Sequence, residues 1–324
     1  YGDHRDLHSF PTRRSSDLPG GARCANTTAS GTELYDMDSY ASFSADGSKV
    51  AFGAATTVTG VEQIWVKDLA SGALTLVSTP GSGINGNGNS FEPRFSPDGT
   101  KLAFYSFASN LVSGDTNGAD DTFVVTLATG AITRASLSAA GVQANAVTNP
   151  LDEPSFSANG NLLAFVSAAT NLVASADTNL VGDVFVKNLT TGAIVRASET
   201  STGVDGNSNS RRPVISPDGT KVAFESTAAL TPGANSGFWN VYVKDLASGD
   251  VTLVSTPTGS AVGGNGNSLS SSFRVSWSTD MSKIVFNSDA TNLVGGDSNG
   301  LTDIFIRYLS AADGHSAGDV IRVN

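Results

Sequence analysis

Apolar and polar positions alternate in a unit that recurs five times from about residue 38 to 324. Each copy contains a serine-led turn followed by a short apolar segment: FSADGSKVAF (43–52), FSPDGTKLAF (95–104), FSANGNLLAF (156–165), ISPDGTKVAF (215–224) and WSTDMSKIVF (277–286). The closing aromatics Phe52, Phe104, Phe165, Phe224 and Phe286 lie 52 to 62 residues apart. A second apolar segment follows in every copy, centred on Trp65, Phe123, Phe185, Tyr242 and Phe305. A third reads LTLVS, ITRAS, IVRAS, VTLVS and VIRVN. No stretch carries a 3.6-residue apolar period, so the elements are strands.

Each copy predicts four strands. The first ends at the FS, IS or WS pair, and the PDG-type turn leads into the second. The third holds the central aromatic, and a turn at Gly72, Gly130, Gly192 or Gly249 leads to the fourth. The third strands are apolar without alternation (Ile64-Trp65-Val66, Val184-Phe185-Val186, Ile304-Phe305-Ile306). Such runs need cover on both faces. A four-stranded sheet of about 60 residues that repeats and is covered on both faces is a propeller blade. The reading is therefore all-β: a β-propeller of about five four-stranded antiparallel blades, at 38–90, 91–152, 153–210, 211–271 and 272–324, or a fragment of a larger propeller. Residues 22–34 align with a fourth strand and exit loop, a stray outer strand. The turns at Asn159 and Met281 depart from the PDG pattern and predict different turn geometry there.

The SPDG turn, the AF strand and the VKDL strand together resemble the WD40-like PD40 repeats of TolB-like β-propellers, over about 38–324. The resemblance implies an exported bacterial protein, periplasmic or extracellular, that binds other envelope proteins and is not an enzyme. Propellers of this repeat type also gate hydrolase domains of the prolyl-oligopeptidase class, a second expectation. A calcium- or glycan-binding surface module is a third.

Composition narrows these options. The chain has 324 residues, one Cys, three His and a net charge of −11. One cysteine excludes a disulfide framework and a Cys-rich zinc site. An acidic, charge-poor chain argues against nucleic-acid binding, and no apolar run is long enough to span a bilayer. Residues 1–18 stand apart. Their run HSFPTRRSSDL is what translation of a common short-read sequencing adapter yields, and the segment reads as a non-native or disordered tail. It holds two of the three His (His4, His8), leaving His315 as the third, and its charges cancel.

Strand parity puts both long connections of each copy on one face, where function is expected. A protein partner would dock there or at the channel mouth. One loop motif is D-x-N-x-x-x-D: Asp115/Asn117/Asp121, Asp177/Asn179/Asp183 and Asp297/Asn299/Asp303. Hard oxygen donors at this spacing resemble the opening of a calcium loop, and these nine residues are the candidate ligands. The same side chains can instead bond their own backbone to organise a turn. Either way they predict an acidic face. The other motif, the Asn/Gly-rich exit loop (85–90, 205–210, 264–268), reads as a flexible polar connection. Gly296-Asp297-Ser298-Asn299-Gly300 fits a nucleophile pattern, but it is a repeat loop without the strand–turn–helix context. Arg211-Arg212 reads as surface charge or an anion contact.

Overall fold

The computed structural model describes residues 26–27, 34–35, 41–56, 60–81, 84–147, 152–175, 177–268 and 274–324. The tail at 1–18 and most of the stray strand at 22–34 lie outside them. The described residues form a β-propeller of five four-stranded antiparallel sheets, with no helix.

Blade one holds β1 (Ser42–Phe43), β2 (Lys49–Ala54), β3 (Gln63–Asp68) and β4 (Leu74–Leu76). Blade two holds β5 (Ser90–Phe95), β6 (Lys101–Ser106), β7 (Asp121–Thr126) and β8 (Ala131–Arg134). Blade three holds β9 (Ser155–Phe156), β10 (Leu162–Ser167), β11 (Asp183–Asn188) and β12 (Ile194–Arg196). Blade four holds β13 (Ser210–Ile215), β14 (Lys221–Ser226), β15 (Asn240–Asp245) and β16 (Val251–Leu253). Blade five holds β17 (Ser276–Trp277), β18 (Lys283–Ser288), β19 (Asp303–Tyr308) and β20 (Val320–Arg322). In each, the strands follow one another in sequence order.

The recurring aromatics meet as cross-strand partners. Phe104 opposes Phe123, Phe165 opposes Phe185, Phe224 opposes Tyr242 and Phe286 opposes Phe305. Their rings stack at 5.8–6.0 Å, which adds to the burial of large apolar side chains. Neighbouring blades share cores. Ala51, Ile64 and Val66 of blade one pack on Phe95, Leu102 and Phe104 of blade two. Val184 and Val186 of blade three meet Val222 and Phe224 of blade four. Val241 and Val243 of blade four meet Ile284 and Phe286 of blade five. On blade five the matching positions Val285, Ile304 and Ile306 are only half-buried, and Phe43 of blade one is 65% exposed. Residues 26–27 and 34–35 reproduce part of a blade junction. Lys67 Nζ bonds Thr27 O at 2.8 Å, as Lys187 Nζ bonds Leu137 O and Arg307 Nη1 bonds Thr256 O.

The tight turns have one mechanism. Ser96 Oγ donates to Asp98 Oδ1 (2.5 Å) and accepts from Lys101 N (2.9 Å), while Asp98 accepts from Thr100 N (3.0 Å). The same set recurs at Ser44/Asp46, Ser157/Asn159, Ser216/Asp218 and Ser278/Asp280. The different geometry expected at Asn159 and Met281 is not found. Gly160 has φ +64° and Met281 φ +58°, beside +67°, +70° and +75° at Gly47, Gly99 and Gly219. Asn replaces Asp as the acceptor without loss. Met281 is held in a left-handed conformation that favours glycine.

Candidate functional site

The D-x-N loops are built inward. Asn117 Oδ1 accepts from Ala119 N (3.2 Å), Asn179 Oδ1 from Val181 N (2.8 Å) and Asn299 Oδ1 from Leu301 N (2.9 Å). These are Asx turns. The amide nitrogens then reach the exit loop: Asn117 Nδ2 donates to Ala144 O and Asn179 Nδ2 to Gly206 O. Blade four lacks the motif, yet Asn235 donates to Gly263 O and Gly264 O. In blade one Gln63 Nε2 donates to Gly86 O. An amide tying these two loops together is thus the shared element.

The aspartates face an arginine of the same blade. Arg134 lies 3.4 Å from Asp115 and 3.4 Å from Asp121. Arg196 lies 3.8, 3.9 and 3.1 Å from Asp177, Asp183 and Asp205. Arg322 lies 3.2 Å from Asp297 and 3.3 Å from Asp303. The six motif aspartates are at most 4% exposed at the side chain, so the expected acidic face is not displayed. Burial is the reason: it raises the carboxyl pKa of Asp115, Asp121 and Asp177, and that of Asp183 to about 7. The repeat contains its own control. The three copies with the motif end β8, β12 and β20 in Arg; the two without it end β4 and β16 in Leu76 and Leu253. Where Leu stands, the first residue of the third strand is a neutral amide, Gln63 or Asn240, instead of Asp121, Asp183 or Asp303. The cation these carboxylates meet is a guanidinium. Asp177, Asp183 and Asp205 bring carboxylate oxygens within 4.8 Å of one another, and Arg196 stands among them.

The first residue of each third strand is fastened from the fourth. Ser198 Oγ accepts from Val184 N (3.0 Å) and donates to Asp183 Oδ1 (2.6 Å). Ser78, Ser136 and Ser255 occupy the same place, and Asn324 does so in blade five.

The exit loops are also clamped, contrary to the flexible reading. Asn110 Oδ1 accepts from Asn87 N (2.9 Å), and Asn87 Oδ1 accepts from Ser109 N (2.8 Å). Asn145 with Asn171 and Asn265 with Asn292 repeat this between the following blades. Asn89 Oδ1 ties back to Glu62 N, and Asn267 Oδ1 to Trp239 N. Gly88 is required by contact: a Cβ there would lie 2.5 Å from the Phe107 carbonyl carbon. The sequence motifs on this face are therefore fastenings between loops and blades.

The unexplained chemistry lies at the start of the first strands. Arg274, before β17, is bonded to Glu153 O (3.2 Å) and lies 3.5 Å from Glu153 Oε2. These residues belong to blades five and three, with blade four between, so they meet across the axis. First strands are therefore innermost. β5 and β13 each carry a bulge, between Phe91 and Arg94 and between Arg211 and Val214. Bulges re-aim side chains. Glu92 (φ +53°) and Arg212 (φ +52°) occupy equivalent bulge positions. Arg212 meets Glu225 (3.3 Å) and Asp152 (4.0 Å), and Arg211 Nε donates to Glu225 at 2.7 Å. Burial nevertheless raises Glu225 to about 7. Around this ring stand Arg211 over the Trp239 ring (3.7 Å) and the edge-to-face pair Phe91–Phe107, with Phe107 49% exposed. Sequence reading reached Arg211 and Arg212 only as surface charge or an anion contact. The available signal was Glu92-Pro93, Glu153-Pro154 and Arg212-Pro213, a charged residue before proline in three copies.

His315 stacks on Tyr308 at 4.4 Å in the link between β19 and β20, so it sits with the tight turns rather than the long loops. Among the described residues no helix is long and apolar enough to cross a membrane.

No family model and no curated protein matches the chain. Among solved structures, oligogalacturonate lyase from Vibrio parahaemolyticus aligns with a TM-score of 0.50 at 12% identity, over 84% of this chain and 62% of the lyase. TolB from Acinetobacter baumannii aligns with a TM-score of 0.46 at 18% identity, over 86% of this chain and 55% of TolB. The chain thus spans less than two thirds of either protein. At these identities the likeness is one of fold.

Proposed function

We propose that this propeller is a non-enzymatic, TolB-like scaffold that binds a protein partner at the mouth of its axis, on the long-loop face. The observation that carries the reading is the bulged inner strand. It holds Glu92 and Arg212 in left-handed backbone on inner strands, and their neighbours Phe91 and Arg211 contact Phe107 and Trp239. Aromatic and arginine side chains beside a recess are the usual anchors of protein recognition. The loops around it are clamped, so the surface is preorganised and binding costs little ordering. A bacterial envelope or extracellular setting follows from the resemblance of the repeat. The test is site-specific photocrosslinking in a bacterial host, with the probe at Phe107 or at exposed Thr129 in the turn between β7 and β8. A discrete protein adduct from Phe107 and none from Thr129 is expected; equal labelling, or none from either, refutes the reading.

A further inference from the structure

Glu92 is a buried carboxylate that the fold leaves unmatched. It is 4% exposed, and its Oε2 has no hydrogen-bond partner among the described residues. The equivalent bulge in blade four shows what a matched residue looks like there, since Arg212 is bridged to two carboxylates. The charged groups facing Glu92 are Glu153, Asp152 and Glu62, all acidic, and Arg274; both Arg274 and Arg94, on the Glu92 strand, engage Glu153 (3.5 and 3.2 Å). Asp152 in turn is held by Arg212. Among the described residues no arginine or lysine is hydrogen-bonded to Glu92 Oε2.

We propose that the axial mouth captures an organic cation, the ammonium or guanidinium of a lysine or arginine side chain on the partner, with Glu92 as its counter-charge. The inference rests on the protein-binding reading and names the chemistry of the partner. The geometry favours an organic cation over a metal. Calcium needs six to eight oxygens at close range. Among the described residues, the group of carboxylates that converges closely enough for an ion is the Asp177 cluster, not this one. A side-chain ammonium or guanidinium accepts more widely spaced acceptors, as Arg274 does against Glu153. Burial, and then the charge of Glu153, raises the Glu92 pKa to about 8. Ionisation and capture are consequently linked, and an incoming cation displaces the proton.

Three blocked peptides, acetyl-Gly-Lys-Gly-amide, its arginine analogue and its norleucine analogue, are titrated into the whole chain and into Glu92→Gln, with binding followed by NMR shifts. The two basic peptides are expected to bind the parent chain about tenfold or more tighter than the norleucine peptide. Glu92→Gln is expected to abolish that difference, and the parent's affinity for them to rise from about pH 6 to about pH 9. Should Glu92→Gln fail to fold, Glu92→Met, which also removes the charge, carries the comparison. Equal binding by parent and variant, equal binding of the norleucine peptide, or no binding of any peptide overturns the proposal. If the peptides fail while the Phe107 crosslink still forms, the cation pocket falls and the protein-binding reading stands. If the peptides bind and no crosslink forms, the pocket stands and that reading falls.

Discussion

Replacing Arg134 by leucine probes the central claim about the D-x-N loops, because the chain already places leucine at this position in blades one and four. Asp115 and Asp121, 4% and 0% exposed at the side chain, would lose the guanidinium 3.4 Å from each. At an effective dielectric of about 20, each such contact carries roughly 5 kcal/mol of attraction before desolvation is subtracted. Removing one partner of a buried pair costs about 3–5 kcal/mol net, since the charge left behind stays buried. Arg134→Leu should therefore lower stability by that amount at neutral pH, read from urea unfolding. The loss should shrink toward about pH 5, where the freed carboxyls take up protons in the fold. Neutralising them (Arg134→Leu with Asp115→Asn and Asp121→Asn) should recover most of the loss, reproducing the Leu-and-amide solution of blades one and four. Millimolar calcium should leave the parent chain's melting temperature unchanged and raise that of Arg134→Leu, whose paired carboxylates then lack a cation. A single substitution costing under about 1 kcal/mol, or a triple variant no better than the single one, would refute the reasoning. Calcium stabilisation of the parent chain would support the calcium reading of these loops.

Met281→Gly should stabilise the protein by about 0.5–1 kcal/mol in the same assay, because φ +58° strains any residue with a Cβ. Stability should fall as pH rises from about 5 to about 8: burial holds Glu92 at about 8 and Asp183 and Glu225 at about 7, above their unfolded values, so their contribution is complete below the unfolded pKa and lost through the folded one. Glu92→Gln should flatten that slope in melting curves taken across the range. Stability should also drop in stronger acid, where Asp46, held low by the Ser44 hydroxyl and the Ser48 amide, and Asp280, held to about 2 by the Ser278 and Ser282 hydroxyls, take up protons. Asn110→Ala, which removes the bonds from Asn87 N and to Asn85 O and leaves Ser109 N on Asn87 Oδ1, should cost about 1–2 kcal/mol and speed hydrogen exchange at the Asn87 amide.

The repeat and the four strands per blade were legible in the sequence. The reason is local: alternation, turn chemistry and the 52–62-residue period act over a few neighbours and recur five times, so each copy corroborates the others. The turn at Asn159 and Met281 was misread because the Ser-centred hydrogen bonds, rather than the PDG letters, set its shape.

Tertiary structure decided what the polar loop residues do. Asp115 and Asp121 lie 19 and 13 residues before Arg134, and no local rule says that the end of a fourth strand closes over the loop before the third. A calcium loop and an arginine-filled loop present the same carboxylates in sequence. They differ only in which cation folding brings to them. The axial cluster is non-local in the same way, since Arg274 and Glu153 are 121 residues apart and meet only because the blades share an axis. The sequence by itself determined the blade, through periodicity and turns. Which charges are neutralised, and that Glu92 Oε2 has no hydrogen-bond partner among the described residues, only the assembled ring decided, because charge pairing depends on distance in space.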